Sequence, residues 1–196
     1  MKTKAARLPF SSGRLLPCLL LAAGSVALLG ACGYRPLKPY NTQNDLPEAV
    51  RVPAGYQVAI EATSNGQLMY ECQAVKRAPY EYEWLLRSPG VTLTDTYGNR
   101  ITHKPGVRAT WAHQDGSSVM SREFIEVPNG EPNLTLQRYK AEPSETPGML
   151  HNISYVQRLR TVGGWVAAIP CSAPQLGMRR TVPYEADYIF WRAKSS

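Results

Sequence analysis

Downstream of residue 52, apolar and polar positions alternate in short bursts. "YQVAIEA" sets Tyr56, Val58 and Ile60 against Gln57, Ala59 and Glu61, and "LMYECQAV" places Leu68, Tyr70, Cys72 and Ala74 on one face. A period of two marks a strand with one buried face. Between these runs Asn65-Gly66 is a strong hairpin signal and predicts a turn. "YEWLLR", "VTLTD", "ATWA", "SVMSREFIEV", "LTLQRYK", "ISYVQRLR" and "ADYIFWR" continue the series, with turns at Ser88-Pro89-Gly90, Tyr97-Gly98-Asn99 and Asp115-Gly116. No window of helical length keeps a helical period, and 16 prolines and 15 glycines punctuate the chain. Only "APQLG" suits a short helical turn. The pattern predicts an all-β domain over residues 52–196, a single antiparallel β-sandwich or barrel of eight or more short strands.

The same alternation predicts part of the interior. Tyr70, Trp84, Tyr155, Tyr188 and Phe190 fall at core spacing. Gln157 and Arg158 lie on opposite faces of "ISYVQRLR", so one of them should point inward. A buried arginine requires a carboxylate, and Asp187 is the expected partner.

The N-terminus follows another pattern. Lys2, Lys4, Arg7 and Arg14 precede a run from Leu15 to Leu29 broken only by Pro17, Cys18, Gly24 and Ser25, the layout of a secretory signal peptide. As a helix the run would span about 22 Å, short of the ~30 Å hydrocarbon core. Leu29-Gly30-Ala31-Cys32 resembles the bacterial lipobox, which implies a diacylglycerol on the thiol of Cys32 and cleavage after residue 31. Gly33 follows where an aspartate would resemble the inner-membrane retention signal. The chain is therefore expected to be lipid-anchored in the bacterial cell envelope, at the outer membrane. Residues 32–51, with prolines at 36, 39 and 47, read as an extended tether.

Export changes the charge argument. The formal net charge is +7, but the four basic residues upstream of Cys32 leave 18 Lys and Arg against 15 Asp and Glu, or +3. That balance does not favour a nucleic-acid partner. Roughly 165 residues remain, enough for one domain with a real core. Two cysteines remain besides Cys32, Cys72 and Cys171, and in an oxidising compartment a disulfide is their natural pairing. The alternatives are two buried thiols or a redox pair, the latter without a C-x-x-C spacing to support it.

Four blocks in order, "VPAGYQVAIEATSNGQLMYECQA", "ATWAHQDGSSV", "YVQRLRTVGGWVAAIPC" and "VPYEADYIFW", resemble a family of small secreted bacterial and fungal proteins catalogued as a domain of unknown function, DUF 3455. The resemblance covers nearly all of residues 52–191. It implies a one-domain secreted β protein and brings no activity or catalytic residues. Arg108-Ala109 stands where the family pattern leads one to expect glycine-proline.

No G-x-S-x-G, H-E-x-x-H or Walker pattern occurs, and "TVGGW" lacks the spacing of a dinucleotide fingerprint. Glu81 and Glu83 share a strand face beside Trp84, the usual mark of a solvated face. The stretch from His103 to Ser117 is polar and turn-rich. Trp111 offers a stacking face there, Asp115 an acceptor, and His103 or His113 a donor, with His151 alongside as candidate binding residues. In the competing account Trp111 plugs the core and Asp115-Gly116 makes a hairpin turn. Export, tether and β scaffold point to a non-catalytic envelope lipoprotein that binds a small molecule, glycan or protein partner. Two alternatives stand beside it: a lysozyme-type inhibitor lipoprotein, since "LMYECQA" resembles the tyrosine-x-cysteine segment of such inhibitors, and a metal-dependent or acid–base hydrolase using His103, His113 and Asp115. No cofactor is expected.

The lipobox yields a direct prediction. Cys32→Ser should leave a chain that takes up no palmitate label and no longer fractionates with membranes, because a diacylglycerol anchors well beyond the marginal hold of one acyl chain. Label persisting in that variant would exclude Cys32 as the lipidated residue.

Overall fold

The computed structural model describes residues 43–78, 80–144, 146–166 and 170–195; the signal segment and Cys32 lie outside them. Nine strands follow in order: β1 (Tyr56–Ala74), β2 (Tyr82–Leu86), β3 (Val91–Asp95), β4 (Arg100–Lys104), β5 (Thr110–His113), β6 (Ser118–Val127), β7 (Leu136–Ala141), β8 (Ile153–Gly163) and β9 (Arg179–Ala193). Strands β1 and β3 to β9 pair antiparallel in sequence, and β9 returns to β1. The eight strands thus close a barrel, and β2 adds to the far end of β1. The all-β expectation holds, and of its two forms the barrel is the one realised. The expected turn at "APQLG" is a 3-10 turn, Ala173–Gln175.

The hairpin expected at Asn65-Gly66 does not form. β1 runs straight through it, with Asn65 opposite Glu185 and Gly66 opposite Tyr184. The reason lies in β9, which pairs with β1 from Tyr56↔Ala193 to Glu71↔Arg179. A turn at residue 65 would strip ladder partners from both strands, and each buried unpaired backbone group is costly. Strand β4 carries only a weak alternation and was not anticipated as a strand. It is held by β3 on one side and β5 on the other.

The alternation of "YQVAIEA" is broken by a register shift between Val58 and Ile60. Tyr56 and Val58 therefore pack on the outer surface while Ile60 and Ala62 face the lumen, because one extra residue reverses every later side chain. The lumen is filled by Trp111, Tyr139, Tyr184, Tyr188 and Phe190 with aliphatic residues between them. Tyr70 and Tyr155 are buried, and Trp84 packs half-buried against the core.

Residues 43–52 lie as a strap across the outside of the barrel, upstream of the expected domain start at residue 52. Val50 is wholly buried against Leu159, Ile189 and Trp191. Gln43 fastens the strap on itself, its Oε1 accepting from the Val52 amide at 2.7 Å and its Nε2 donating to the Val52 carbonyl at 3.0 Å. Gln157 donates to the Val50 carbonyl and accepts from Trp191 Nε1 at 2.8 Å. As expected, one of Gln157 and Arg158 points inward, Arg158 into the lumen; Gln157, on the outer face, is buried as well, beneath the strap. Asp187, however, is not the partner of Arg158. It pairs with Arg160, whereas Arg158 donates through Nε and Nη2 to the Thr135 carbonyl at 3.2 and 2.9 Å. Adjacent strand residues point to opposite faces, so Asp187 cannot share the lumen with Tyr188.

Cys72 and Cys171 form the disulfide, their Cα atoms 5.5 Å apart. Two backbone bonds reinforce the clamp: Cys72 N donates to the Met178 carbonyl and Gly177 N to the Cys72 carbonyl, both at 2.9 Å. The bond spans 99 positions of sequence, for which chain entropy gives at most about 4.7 kcal/mol. Replacing both cysteines with serine should cost about 2–5 kcal/mol and lower the melting midpoint by roughly 5–15 °C. Calorimetry of the variant checks this, and an unchanged midpoint would refute it.

Candidate functional site

The stretch expected as a polar loop is largely two strands, β4 and β5. Their register sets His103 opposite Trp111 and Ile101 opposite His113, so both histidines and the tryptophan face inward. Trp111 is 0% exposed and His103 1%. Their rings stack at 4.8 Å with an interplanar angle of 7°. Tyr139 and Phe190 meet Trp111 edge-on at 5.0 and 6.2 Å, and Tyr188 leans on His103 at 5.3 Å. Trp111 is therefore a core plug and presents no face to solvent. Burial lowers the His103 pKa to about 4, partly opposed by its Nδ1 contact with the Thr110 carbonyl at 3.2 Å. The ring is neutral near pH 7 and does not change charge there.

Asp115 is committed elsewhere. Its Oδ1 accepts from the Ser117 amide at 2.8 Å and the Ser117 hydroxyl at 2.6 Å, and lies 2.9 Å from His113 Nδ1. Its Oδ2 accepts from the Met149 amide at 2.8 Å. The Ser117 hydroxyl also accepts from the Leu150 amide at 3.1 Å. Together they pin the 148–151 turn, which seats fully buried Leu150 in the barrel core. Gly148 is required here: at φ +134°, a Cβ would come within 2.7 Å of both Asp115 and Ser117. The bonds from Ser117 and Met149 hold the Asp115 carboxyl far below the usual carboxylate range. His151 occupies the same turn, half-buried, and its Nδ1 is buried without a hydrogen-bond partner among the described residues.

The five candidates are thus divided. His113 and Asp115 meet and His151 lies in the turn they hold, but His103 goes with Trp111. Among the described residues no three His, Cys, Asp or Glu side chains are grouped to hold a metal.

A different concavity was not anticipated. At the barrel rim where β1 begins and β9 ends, a cleft of about 560 Å³ is lined by Arg122, Lys140 and Arg192 from β6, β7 and β9. Tyr56 and Tyr155 also line it, their rings edge-to-face at 4.9 Å and 87°. Asn152, in the left-handed region at φ +61°, lies there too. Arg192 Nη2 donates to the Met149 carbonyl at 3.3 Å, while its buried Nε has no hydrogen-bond partner among the described residues. Glu123 touches Lys140 Nζ at 3.4 Å and Arg122 Nε at 4.0 Å from outside the lining, its side chain 61% exposed. The only sequence signal for the cleft is a basic residue one position from a lumen-facing one at Ser121-Arg122 and Lys140-Ala141. Their convergence with Arg192 comes from the β7–β8–β9 ladder, which sets Lys140 opposite Tyr155 and Ile153 opposite Arg192.

A family model described as Protein of unknown function (DUF3455) matches residues 53–192. The chain belongs to the DUF3455 family. No curated protein and no solved structure matches it. The DUF3455 match takes in β2 to β8 whole, β1 entirely and β9 up to Arg192, and so includes every cation of the cleft. The strap before Pro53 lies outside it, although it covers the outer apolar patch of the DUF3455 barrel.

The buried imidazole generates a pH prediction for the DUF3455 domain. The His103 pKa is about 6.5 unfolded and about 4 folded, so its contribution to stability is full above about pH 6.5 and is lost as pH falls towards 4. The loss should reach about 3 kcal/mol. Melting midpoints measured across that window should fall less steeply for His103→Gln than for the natural chain. Asp115 contributes above its unfolded range and loses that contribution only at lower pH. Parallel slopes for the two proteins would exclude a neutral buried His103.

Proposed function

We propose that the chain is an envelope lipoprotein whose barrel is a non-catalytic module binding a ligand in the cleft of Arg122, Lys140 and Arg192. One observation carries this: the cleft is an open concavity of about 560 Å³, within the range of small-molecule sites. The titratable groups of the lumen, by contrast, are buried and closed to a ligand from solvent. The cleft lining offers cations, an amide, hydroxyls and rings. It offers no carboxylate, imidazole or thiol among its described residues to act as a general base. Such a lining can hold a ligand and orient it. The export signature supports an envelope location, with Cys32 as the anchor.

Binding to the native state alone raises the melting midpoint. In a screen of organic anions, glycans and peptides, at least one anionic compound at about 100 times its Kd should add roughly 2.7 kcal/mol, or about 5–10 °C. Lys140→Gln should reduce that shift. A screen in which no compound moves the midpoint, or a cofactor-free turnover traced to these residues, would overturn the proposal.

A further inference from the structure

We infer that the cleft is a phosphate site, taking a phosphorylated molecule that also carries an apolar or aromatic part; this rests on the binding-module reading above and names its ligand. Three cations from three strands line one cleft, and like charges gathered in one concavity raise its potential and favour an anion. The carboxylate beside them, Glu123, is a weak neutraliser. Its contacts are 3.4 and 4.0 Å and its side chain faces solvent, and such pairs contribute little. Arg192 lines the cleft from β9, and its guanidinium is braced by the bond from Nη2 to the Met149 carbonyl at 3.3 Å.

The choice among anions follows from number and direction. A carboxylate has one charge and two coplanar oxygens, which a single guanidinium satisfies side-on. Two guanidiniums and an ammonium on β6, β7 and β9 suit a tetrahedral group with three terminal oxygens and a charge between one and two. Asn152 adds a neutral donor, held at φ +61°, a conformation asparagine tolerates better than most residues. The volume exceeds what a bare phosphate fills, and the Tyr56 and Tyr155 rings offer the remainder an apolar wall. A water-soluble phosphate ester and a phospholipid headgroup share this chemistry.

Calorimetric titration of the full chain in a neutral detergent, at about 0.15 M salt, tests the inference with inorganic phosphate, phenyl phosphate, dihexanoyl phosphatidic acid and citrate. Phenyl phosphate should bind more tightly than inorganic phosphate. Lys140→Gln and Arg192→Gln should each weaken it on the order of tenfold, and Glu123→Gln should tighten it. Phosphatidic acid binding above phenyl phosphate assigns a lipid headgroup as the source, and the reverse order a soluble ester. Lys140 is partly exposed, so its variant keeps the test valid should Arg192→Gln unfold; melting midpoints report which has happened. Binding unchanged in Lys140→Gln, no binding by any phosphate probe, or citrate binding equally well overturns the inference. A neutral ligand that raises the midpoint and binds both variants would leave the binding module standing and remove the phosphate site.

Discussion

The fold depends on the ladder between its first and last strands. β1 and β9 stay paired from Tyr56↔Ala193 to Glu71↔Arg179. Until they meet, the sheet is open, with two long edges of unpaired amides and carbonyls, and closure removes both. The pairing joins the two ends of the domain, so its entropic cost is that of a long loop. The Cys72–Cys171 bond fastens the same region, tying β1 to the segment leading into β9. The ladder also explains why the chain passes extended through Asn65-Gly66: the alternative turn would leave the barrel unsealed.

Closure divides the chemistry into two compartments. Inside, polar side chains look to the protein for partners, although His103 Nε2 and Trp111 Nε1 have no hydrogen-bond partner among the described residues. His103 is stacked and neutral, Arg158 bonds to Thr135, and Tyr184 and Tyr188 share a hydrogen bond of 2.7 Å. These residues draw attention in a sequence because they are the types that do chemistry, yet here they are occupied in building the lumen. The rim is different. Charges there are partly solvated, and Arg122, Lys140 and Arg192 are brought together by the register of four successive strands, β6 to β9.

Much of the scaffold was legible in the sequence, because alternation of period two is a local property and survives in runs such as "SVMSREFIEV" and "ADYIFWR". The disulfide was legible for a different reason, scarcity of thiols. What failed was non-local. The bulge at Val58 and Ile60 reverses which face is buried without changing the residue pattern, and the fate of Asn65-Gly66 is decided by a strand more than 100 residues away. Arg158 and Asp187 sit on neighbouring strands as expected, but on opposite faces of the sheet. Of the site, the His113–Asp115 meeting was accessible because the two are near in sequence. The cleft was not, since its cations come from three strands and no local pattern announces their convergence.

The docked strap shortens the leash. For a chain held at Cys32, the stretch between anchor and barrel would run to Gln43 and not to Val52, because Gln43 is already bonded to Val52 and Val50 is buried against the barrel. Eleven residues extend at most about 40 Å. The exit point is also fixed on one side of the barrel wall. A globule so anchored would sample a thin shell above the lipid and not the full depth of its compartment, and whatever it met would have to lie within that shell or come to it.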